Sequence, residues 1–135
     1  MSLNGLDHVA LAVNDLDSAL RLFRDALGFD YLGRETVEDM KVETAFLATG
    51  SLHLELVKPS SDDSPVCGFL KKRGEGLHHI ALKVKDMGSM LEKLRSAGVK
   101  VIDPAPRKGA RGKMVAFLHP SSCHGMLVEL CEEGK

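Results

Sequence analysis

The sequence predicts an α+β fold built from two tandem β-α-β-β-β modules. The main observation is an internal repeat, in which GLDHVALAVNDLDSAL at residues 5–20 recurs as GLHHIALKVKDMGSML at residues 76–91, a spacing of 76 − 5 = 71. The tripeptide AFL at residues 45–47 returns at residues 116–118 with the same spacing. In both copies an apolar run precedes an amphipathic segment and further apolar runs follow, which indicates strand, helix and three strands.

The first strand and the helix of each module have the clearest signals. HVALAV and HIALKV are short runs of apolar and β-branched residues, typical of strands. Asp15 and Asp86 follow as predicted N-caps, because their carboxylates can accept the free N–H groups of a first helical turn. Gly28 and Gly98 suit the left-handed residue that ends a helix. The predicted apolar helix faces are Leu16, Leu20, Phe23 and Leu27 in the first module and Met87, Met90, Leu91 and Leu94 in the second.

The remaining strands complete each module. A weaker strand is predicted near Asp30–Glu35 in the first module and near Lys100–Ile102 in the second. A hairpin follows in each, formed by Val42–Leu47 with Leu52–Lys58 and by Lys113–Leu118 with Met126–Cys131. We therefore predict one domain over residues 1–135, with module one at about 5–58, a linker at 59–75 and module two at about 76–132. The linker segment VCGFL is a candidate for a short helix.

Length and composition fit one globular domain and exclude several classes of partner. The 135 residues are 44% hydrophobic, and the formal charge is 18 − 19 = −1. A balanced charge predicts neither nucleic acid nor a membrane surface as a partner. The sequence has no apolar run near the ~20 residues of a membrane helix and no visible signal peptide at its start. Three cysteines without a Cys-x-x-Cys pair predict free thiols in a reducing compartment.

A glutamate lies in the last strand of each module, and a histidine begins each first strand. Because side chains alternate along a strand, Leu54 and Leu56 should pack against helices while Glu55 faces the other side. Glu129 alternates with Val128 and Leu130 in the same way. A buried carboxylate needs a positive partner. Two imidazoles, His8 and His79, with these two carboxylates could bind a divalent cation such as Co²⁺, Mn²⁺, Ni²⁺ or Zn²⁺. Ordinary hydrogen-bonded histidines are the alternative.

These features resemble the vicinal oxygen chelate, or glyoxalase-like, superfamily, and within it the methylmalonyl-CoA epimerases. The resemblance is carried by DHVALAV, SPVCGFL, GLHHIALKV and especially GARGKMVAFLHPSSCHGMLVELCE. It implies that the two modules form curved mixed sheets around one metal-containing cavity. It also implies that His8, His79 and Glu129 bind the metal, with Co²⁺ as the first expectation. Glu55 stands where the family has a glutamine or glutamate near the metal. The repeat selects His79 over His78, because His78 aligns with Asp7.

The resemblance implies an isomerase that interconverts (R)- and (S)-methylmalonyl-CoA through an enolate, in propionate metabolism. Such an inversion favours two acid/base groups on opposite sides of the planar intermediate. Glu129 is the first candidate and Glu43 the second. The predicted hairpin, however, orients Glu43 with Ala45 and Leu47 and turns Thr44 inward, so Glu55 is an alternative to Glu43.

Further expectations concern partners and location. The expected partner is an acyl-CoA, and a homodimer is expected. Basic residues that could contact coenzyme A phosphates, unless they are only solvated surface, are Lys71-Lys72-Arg73, Arg107-Lys108 and Arg111. The loop at 119–125 could contact the substrate carboxylate or be an ordinary hairpin loop. The expected compartment is the cytoplasm in a bacterium or archaeon and the mitochondrial matrix in a eukaryote.

Three other functions of the same fold stay open. One is a glyoxalase I-like lyase acting on a glutathione hemithioacetal, which would use the same ligand pattern. Another is a non-enzymatic small-molecule-binding protein, which the full His/Glu set disfavours. A ring-cleaving dioxygenase needs two histidines and one carboxylate around iron, so a fourth ligand at Glu55 would weaken that alternative.

Overall fold

The structure, a computed structural model, describes residues 3–132 and divides into two compact units. The first unit comprises residues 8–78, and the second comprises residues 3–7 together with 79–132. The two boundaries are separated by 78 − 7 = 71 residues, which is the period of the sequence repeat. They fall within the first strand of each predicted module, β1 (Leu3–Ala12) and β5 (Gly76–Val84).

The first unit has the predicted order of one strand, one helix and three strands. After β1 come α1 (Leu16–Leu20), a π-helical continuation (Arg21–Ala26), β2 (Asp30–Val37), β3 (Val42–Thr49) and β4 (Leu52–Pro59). The strands are ordered β2-β3-β4-β1, with β1 parallel to β4 and the other neighbours antiparallel. The linker that follows contains α2 (Pro65–Arg73), so the short helix expected near VCGFL is present.

The second unit repeats this order. After β5 come α3 (Met87–Ser96), β6 (Arg107–Lys108), β7 (Met114–Leu118) and β8 (Val128–Glu132). The strands are ordered β5-β8-β7-β6, with β5 parallel to β8. The mixed sheets and the β-α-β-β-β order confirm the predicted α+β class.

Each unit has its own core between its helix and one face of its sheet. In the first unit the core consists of Val13, Leu16, Leu20, Ala45, Leu47, Leu54 and Leu56. In the second it consists of Val84, Met87, Met90, Leu91, Ala116, Leu118 and Leu130. Burial of these apolar faces leaves the opposite face of each sheet to the polar residues between them. The alternation predicted for Leu54, Leu56 and Leu130 is therefore confirmed.

The predicted helix ends are also observed. Asp15 Oδ1 accepts the Asp17 N–H at 3.3 Å, and Asp86 Oδ1 accepts the Ser89 N–H at 3.1 Å. Gly28 and Gly98 adopt φ values of 87° and 84°, in the left-handed region where a side chain is disfavoured.

Leu27 departs from the predicted helix face, since it is 61% exposed. The Leu27 N–H donates to the Leu22 carbonyl, five residues back, at 2.8 Å. Each such π-type turn holds an extra residue and rotates the following positions around the axis. The predicted face therefore holds for Leu16, Leu20 and Phe23, which pack in or against the core, and is wrong at Leu27.

The strand predicted near Lys100–Ile102 is wrong in extent. Val101 makes one isolated antiparallel bridge to Leu118, and the regular edge strand lies later, at β6. Asp103 explains the gap, because its Oδ2 accepts the Phe117 N–H at 2.8 Å and so replaces a strand partner. Pro104 and Pro106 then lack the N–H groups that a longer strand would need.

Within residues 3–132, every helix is too short or too polar to cross a membrane.

Candidate functional site

The first unit brings the predicted residues His8 and Glu55 together. They lie on the parallel strands β1 and β4, where Ala10 is the register partner of Glu55. His8 Nδ1 is 3.1 Å from Glu55 Oε2. The two residues are 4% and 8% exposed. Since Leu54 and Leu56 occupy the helix-facing core, the carboxylate points to the other face, as the alternation predicted.

The second unit brings His79 and Glu129 together in the same way. They lie on the parallel strands β5 and β8, where Ala81 is the register partner of Glu129. His79 Nε2 is 2.9 Å from Glu129 Oε1, and both residues are 5% exposed. Each unit thus buries one imidazole against one carboxylate at equivalent positions of the repeat.

A phenylalanine lies beside each pair. Phe46 is the strand partner of Glu55, and Phe117 is the partner of Glu129. Both rings are 6% exposed, and the Phe117 ring meets the His79 ring edge-to-face at 5.5 Å. Apolar walls exclude water and strengthen electrostatic interactions between the charged groups that they enclose.

The donor atoms of each pair fit a divalent metal ion. Imidazole nitrogen and carboxylate oxygen bind such ions at about 2.0–2.2 Å, so two ligands at right angles lie about 3 Å apart. The observed 3.1 Å and 2.9 Å match that separation. A buried carboxylate without a positive partner is costly, which gives the same donor set an energetic reason to hold a cation.

Glu43 lies on the opposite face of the first unit's sheet from Glu55. It alternates with Ala45 and Leu47, which belong to the helix-facing core. Arg34 Nη1 donates to Glu43 Oε1 at 3.3 Å. The neighbouring residue, Thr44, is 1% exposed and shares the face of Glu55, as the predicted hairpin required. This geometry favours an ion-pairing role for Glu43, whose acid/base role stays a prediction.

Arg34 links the helix and the sheet of the first unit. Besides Glu43, its guanidinium contacts Asp17 Oδ1 at 2.5 Å, and this hydrogen bond raises the pKa of Arg34 above its ordinary value. The carboxylate of Glu43 is therefore part of a three-residue ion cluster on the surface.

Other predicted residues lie outside the two pairs. His78 points away from the face of His79 and meets the Phe69 ring edge-to-face at 4.9 Å, which agrees with the repeat register that selected His79. In the loop at 119–125, His119 Nδ1 accepts the Ser121 N–H at 3.0 Å, and Ser122 Oγ accepts the Lys100 N–H at 3.0 Å. These loop groups have structural partners within their own unit.

A buried ion pair between Lys113 and Asp7 was not predicted from the sequence. Lys113 Nζ is 2.5 Å from Asp7 Oδ1, and the two side chains are 15% and 7% exposed. Both residues lie in segments that carry the family resemblance, but they are 106 positions apart, so no local signal connects them. The walls formed by Phe46 and Phe117 did have a signal, because both belong to the repeated tripeptide AFL.

Comparisons with known proteins agree with this geometry. Residues 7–117 match the model of the Glyoxalase/Bleomycin resistance protein/Dioxygenase superfamily, so the chain is a member of that superfamily. It is 40% identical over 95% of its length to the mitochondrial methylmalonyl-CoA epimerase of Dictyostelium discoideum, 78% of which it covers. It is 39% identical over 93% of its length to the ethylmalonyl-CoA/methylmalonyl-CoA epimerase of Cereibacter sphaeroides, 95% of which it covers.

A solved structure gives the same result. A variant of Streptomyces coelicolor methylmalonyl-CoA epimerase in complex with 2-nitronate-propionyl-CoA matches with a TM-score of 0.93 at 36% identity, covering 99% of this chain and 100% of that one. The chain belongs to the methylmalonyl-CoA epimerase family. The predicted fold class and family resemblance are therefore confirmed.

Proposed function

We propose that the protein is an isomerase that interconverts (R)- and (S)-methylmalonyl-CoA. The observation that carries this proposal is the buried His–Glu pair found once in each unit of an epimerase-family chain, at 3.1 Å and 2.9 Å. The relatives named as epimerases, and the family structure bound to 2-nitronate-propionyl-CoA, support an acyl-CoA as the substrate class.

We propose that His8, Glu55, His79 and Glu129 jointly hold one divalent metal ion. The support is chemical, since both pairs offer nitrogen and oxygen donors in water-poor surroundings and occupy equivalent positions of the repeat. When bound, such an ion would neutralise negative charge that develops on the substrate oxygens. Co²⁺ is the ion that we propose first, with Mn²⁺, Ni²⁺ and Zn²⁺ as alternatives.

Glu129 is proposed to move the proton. The reacting carbon lies between a thioester carbonyl and a carboxylate, so its C–H bond can break with the electron pair passing into the thioester as an enolate. Glu129 would take that proton, and return of a proton to the opposite face of the planar carbon would invert the centre. Phe117 beside Glu129 would keep water from reaching the carbanionic centre.

The second acid/base group is proposed to be Glu55 rather than Glu43. Both were candidates from the sequence, but Glu43 contacts Arg34 and alternates with core residues. Glu55 is buried beside an imidazole like Glu129, so it has the surroundings that proton transfer to a substrate carbon requires.

Hydrogen exchange at the reacting carbon tests this function. Metal-loaded protein is incubated with methylmalonyl-CoA in deuterated water, and deuterium entry is followed by mass spectrometry. We expect one deuterium per inverted centre. Absence of exchange, together with turnover of a methylglyoxal–glutathione adduct, would instead identify the glyoxalase I-like lyase.

We further propose that two copies associate and that the reaction serves the breakdown of propionyl-CoA. Leu22, Leu27 and Leu32 of the first unit are 50%, 61% and 46% exposed, and exposed apolar groups of this kind favour association. Analytical ultracentrifugation at micromolar protein concentrations would give the molecular mass in solution, which should be that of two chains. The proposed compartment is the bacterial or archaeal cytoplasm or the mitochondrial matrix, according to the source.

A further inference from the structure

The second unit contains a cleft that the metal ligands do not use. Its volume is about 680 Å³, which is the size of an ordinary small-molecule site. Three lysines and three acids contribute to its lining, together with small or apolar neighbours. The ionisable lining residues are Asp7, Lys83, Lys85, Asp86, Lys113 and Glu132.

The three acids of the cleft are already engaged within the protein. Asp7 contacts Lys113 at 2.5 Å. Glu132 Oε2 accepts the Met87 N–H at 2.5 Å, at the start of α3. The third acid, Asp86, accepts the backbone N–H of Ser89 and then its hydroxyl, and these bonds lower the pKa of Asp86 below its ordinary value. Each carboxylate therefore already has a cation or a hydrogen-bond donor within the fold.

Two of the lysines are not engaged in this way. Lys83 and Lys85 are exposed, and neither has a hydrogen bond or ion pair from its side chain to any residue between 3 and 132. The formal charges of the lining cancel, but Lys83 and Lys85 are ammonium groups that have no carboxylate partner among residues 3–132. A compact ammonium group of this kind binds phosphate oxygens as a point charge.

One lining residue of the cleft, Lys83, lies on the face of the second unit's sheet that carries the His79–Glu129 pair. Lys83 is the register partner of Cys131, two positions beyond the Ala81–Glu129 partners. Because side chains alternate along a strand, Lys83 shares the face of His79. The four residue steps from His79 to Lys83 span roughly 13 Å, at about 3.3 Å per residue. An acyl-CoA has the same layout, since a long arm separates its thioester from its phosphates.

We propose that this cleft binds the phosphate groups of the acyl-CoA through Lys83 and Lys85. The proposal rests on the proposed function for the choice of acyl-CoA, but phosphate binding can be measured without any turnover. Under this proposal the phosphates contact Lys83 and Lys85 instead of Lys71-Lys72-Arg73, which the sequence had offered as candidates. Those residues form the last turn of α2, where cations stabilise the helix end.

The direct test is binding of adenosine 3′,5′-bisphosphate, the phosphate-bearing end of coenzyme A, measured by titration calorimetry. We expect saturable binding that Lys83→Glu with Lys85→Glu weakens by about tenfold or more, because hydrogen bonds to charged groups contribute that much. Lys93→Glu with Lys100→Glu is the matched control, since it reverses two exposed lysines of the same unit outside the cleft. The milder pair Lys83→Gln with Lys85→Gln should give a smaller loss.

Steady-state kinetics separates this proposal from the proposed function. With methylmalonyl-CoA, the Glu pair should raise KM by about tenfold or more and leave kcat within about twofold. With the N-acetylcysteamine thioester of methylmalonate, which has no phosphate, the variant and the unaltered protein should be equal. If the bisphosphate binds but methylmalonyl-CoA is not epimerised, the result would support phosphate binding in the cleft and contradict the proposed function.

Four results would overturn the assignment of phosphate binding to the cleft. One is no binding of the bisphosphate by the unaltered protein. Another is an equal loss in the Lys93/Lys100 control or displacement by an equal concentration of inorganic phosphate, either of which would indicate general charge attraction. The last is a rise in KM caused by Lys71→Glu with Lys72→Glu but not by the cleft variants.

Discussion

The two units of this molecule are alike where they carry the histidines and glutamates, and they differ at their edges. His8–Glu55 and His79–Glu129 are separated by 3.1 Å and 2.9 Å, and a buried phenylalanine lies beside each pair. At the edges, β2 has eight residues whereas β6 has two. Buried charges tolerate little change because each needs its partner, whereas edge residues can be solvated in many arrangements. Duplication therefore preserved the sheet face that carries the histidines and glutamates, whereas the edge strands β2 and β6 diverged.

The largest expected effect is on kcat, and it should differ between the two glutamates, Glu129 and Glu55. Glu129→Gln should lower kcat by about 10²–10⁴, the usual contribution of a general acid/base, because the amide cannot accept the proton. Glu55→Gln should lower kcat by a smaller factor, because it removes the proposed second acid/base group but leaves Glu129 able to exchange the substrate proton. Rates of exchange in deuterated water measure both, with metal content per chain as the control. Equal losses would remove the special role of Glu129.

The second comparison concerns the two imidazoles. His8→Ala and His79→Ala should each weaken metal binding by about tenfold or more, because each removes one ligand from a shared ion. Chelation should abolish the activity of the unaltered protein, and Co²⁺ should restore it. Elemental analysis should give one ion per chain. Two ions per chain, or loss of half the metal in either variant, would mean that the pairs bind separately.

The cores of the two units should be equally sensitive to a cavity. Leu56→Ala and Leu130→Ala each remove a side chain that is at most 2% exposed. Each should lower the free energy of unfolding by about 2–5 kcal/mol, measured by urea denaturation. Leu27→Ala is the control, because Leu27 is 61% exposed and should change stability by only about 0.5 kcal/mol. A large loss at Leu27 would contradict the π-helical register.

A smaller effect is expected at Glu43, whose equivalent in the second module is Met114 (43 + 71). Glu43→Gln should change kcat by less than about threefold and stability by no more than about 1 kcal/mol, because it weakens a surface ion pair with Arg34. Arg34→Gln should have a similar effect on stability. A fall in kcat comparable to that of Glu129→Gln would indicate that Glu43, rather than Glu55, is the second acid/base group.

The smallest effect concerns acid stability and is expected at Asp63 of the first unit. Hydrogen bonds from Lys41 and then Ser61 lower the pKa of Asp63 from 3.8 to about 2. A lowered folded-state pKa stabilises the protein above the unfolded value of 3.8, and this contribution is lost as pH falls toward 2. Asp63→Asn should therefore flatten the pH dependence of unfolding between about pH 4 and 2. An unchanged profile would mean that the contact is not maintained in solution.

Strand alternation and the internal repeat allowed much of the sheet face that carries the histidines and glutamates to be predicted from the sequence. The period of two along a strand predicted that Glu55 and Glu129 face away from the leucines beside them, and the repeat distinguished His79 from His78. The caps at Asp15 and Asp86 and the glycines at 28 and 98 were predictable for the same reason. Each depends on residues only a few positions apart.

The sequence by itself thus determined the modular order, the helix caps and the face on which each glutamate lies, because short-range sterics and alternation decide these. Tertiary structure alone decided that Leu27 is exposed, that Asp103 replaces a strand partner and that Lys113 reaches Asp7. These features depend on how segments far apart in the chain compete for the same hydrogen bonds and charges. That competition is settled only when the whole unit is packed, and no periodicity in the sequence records it.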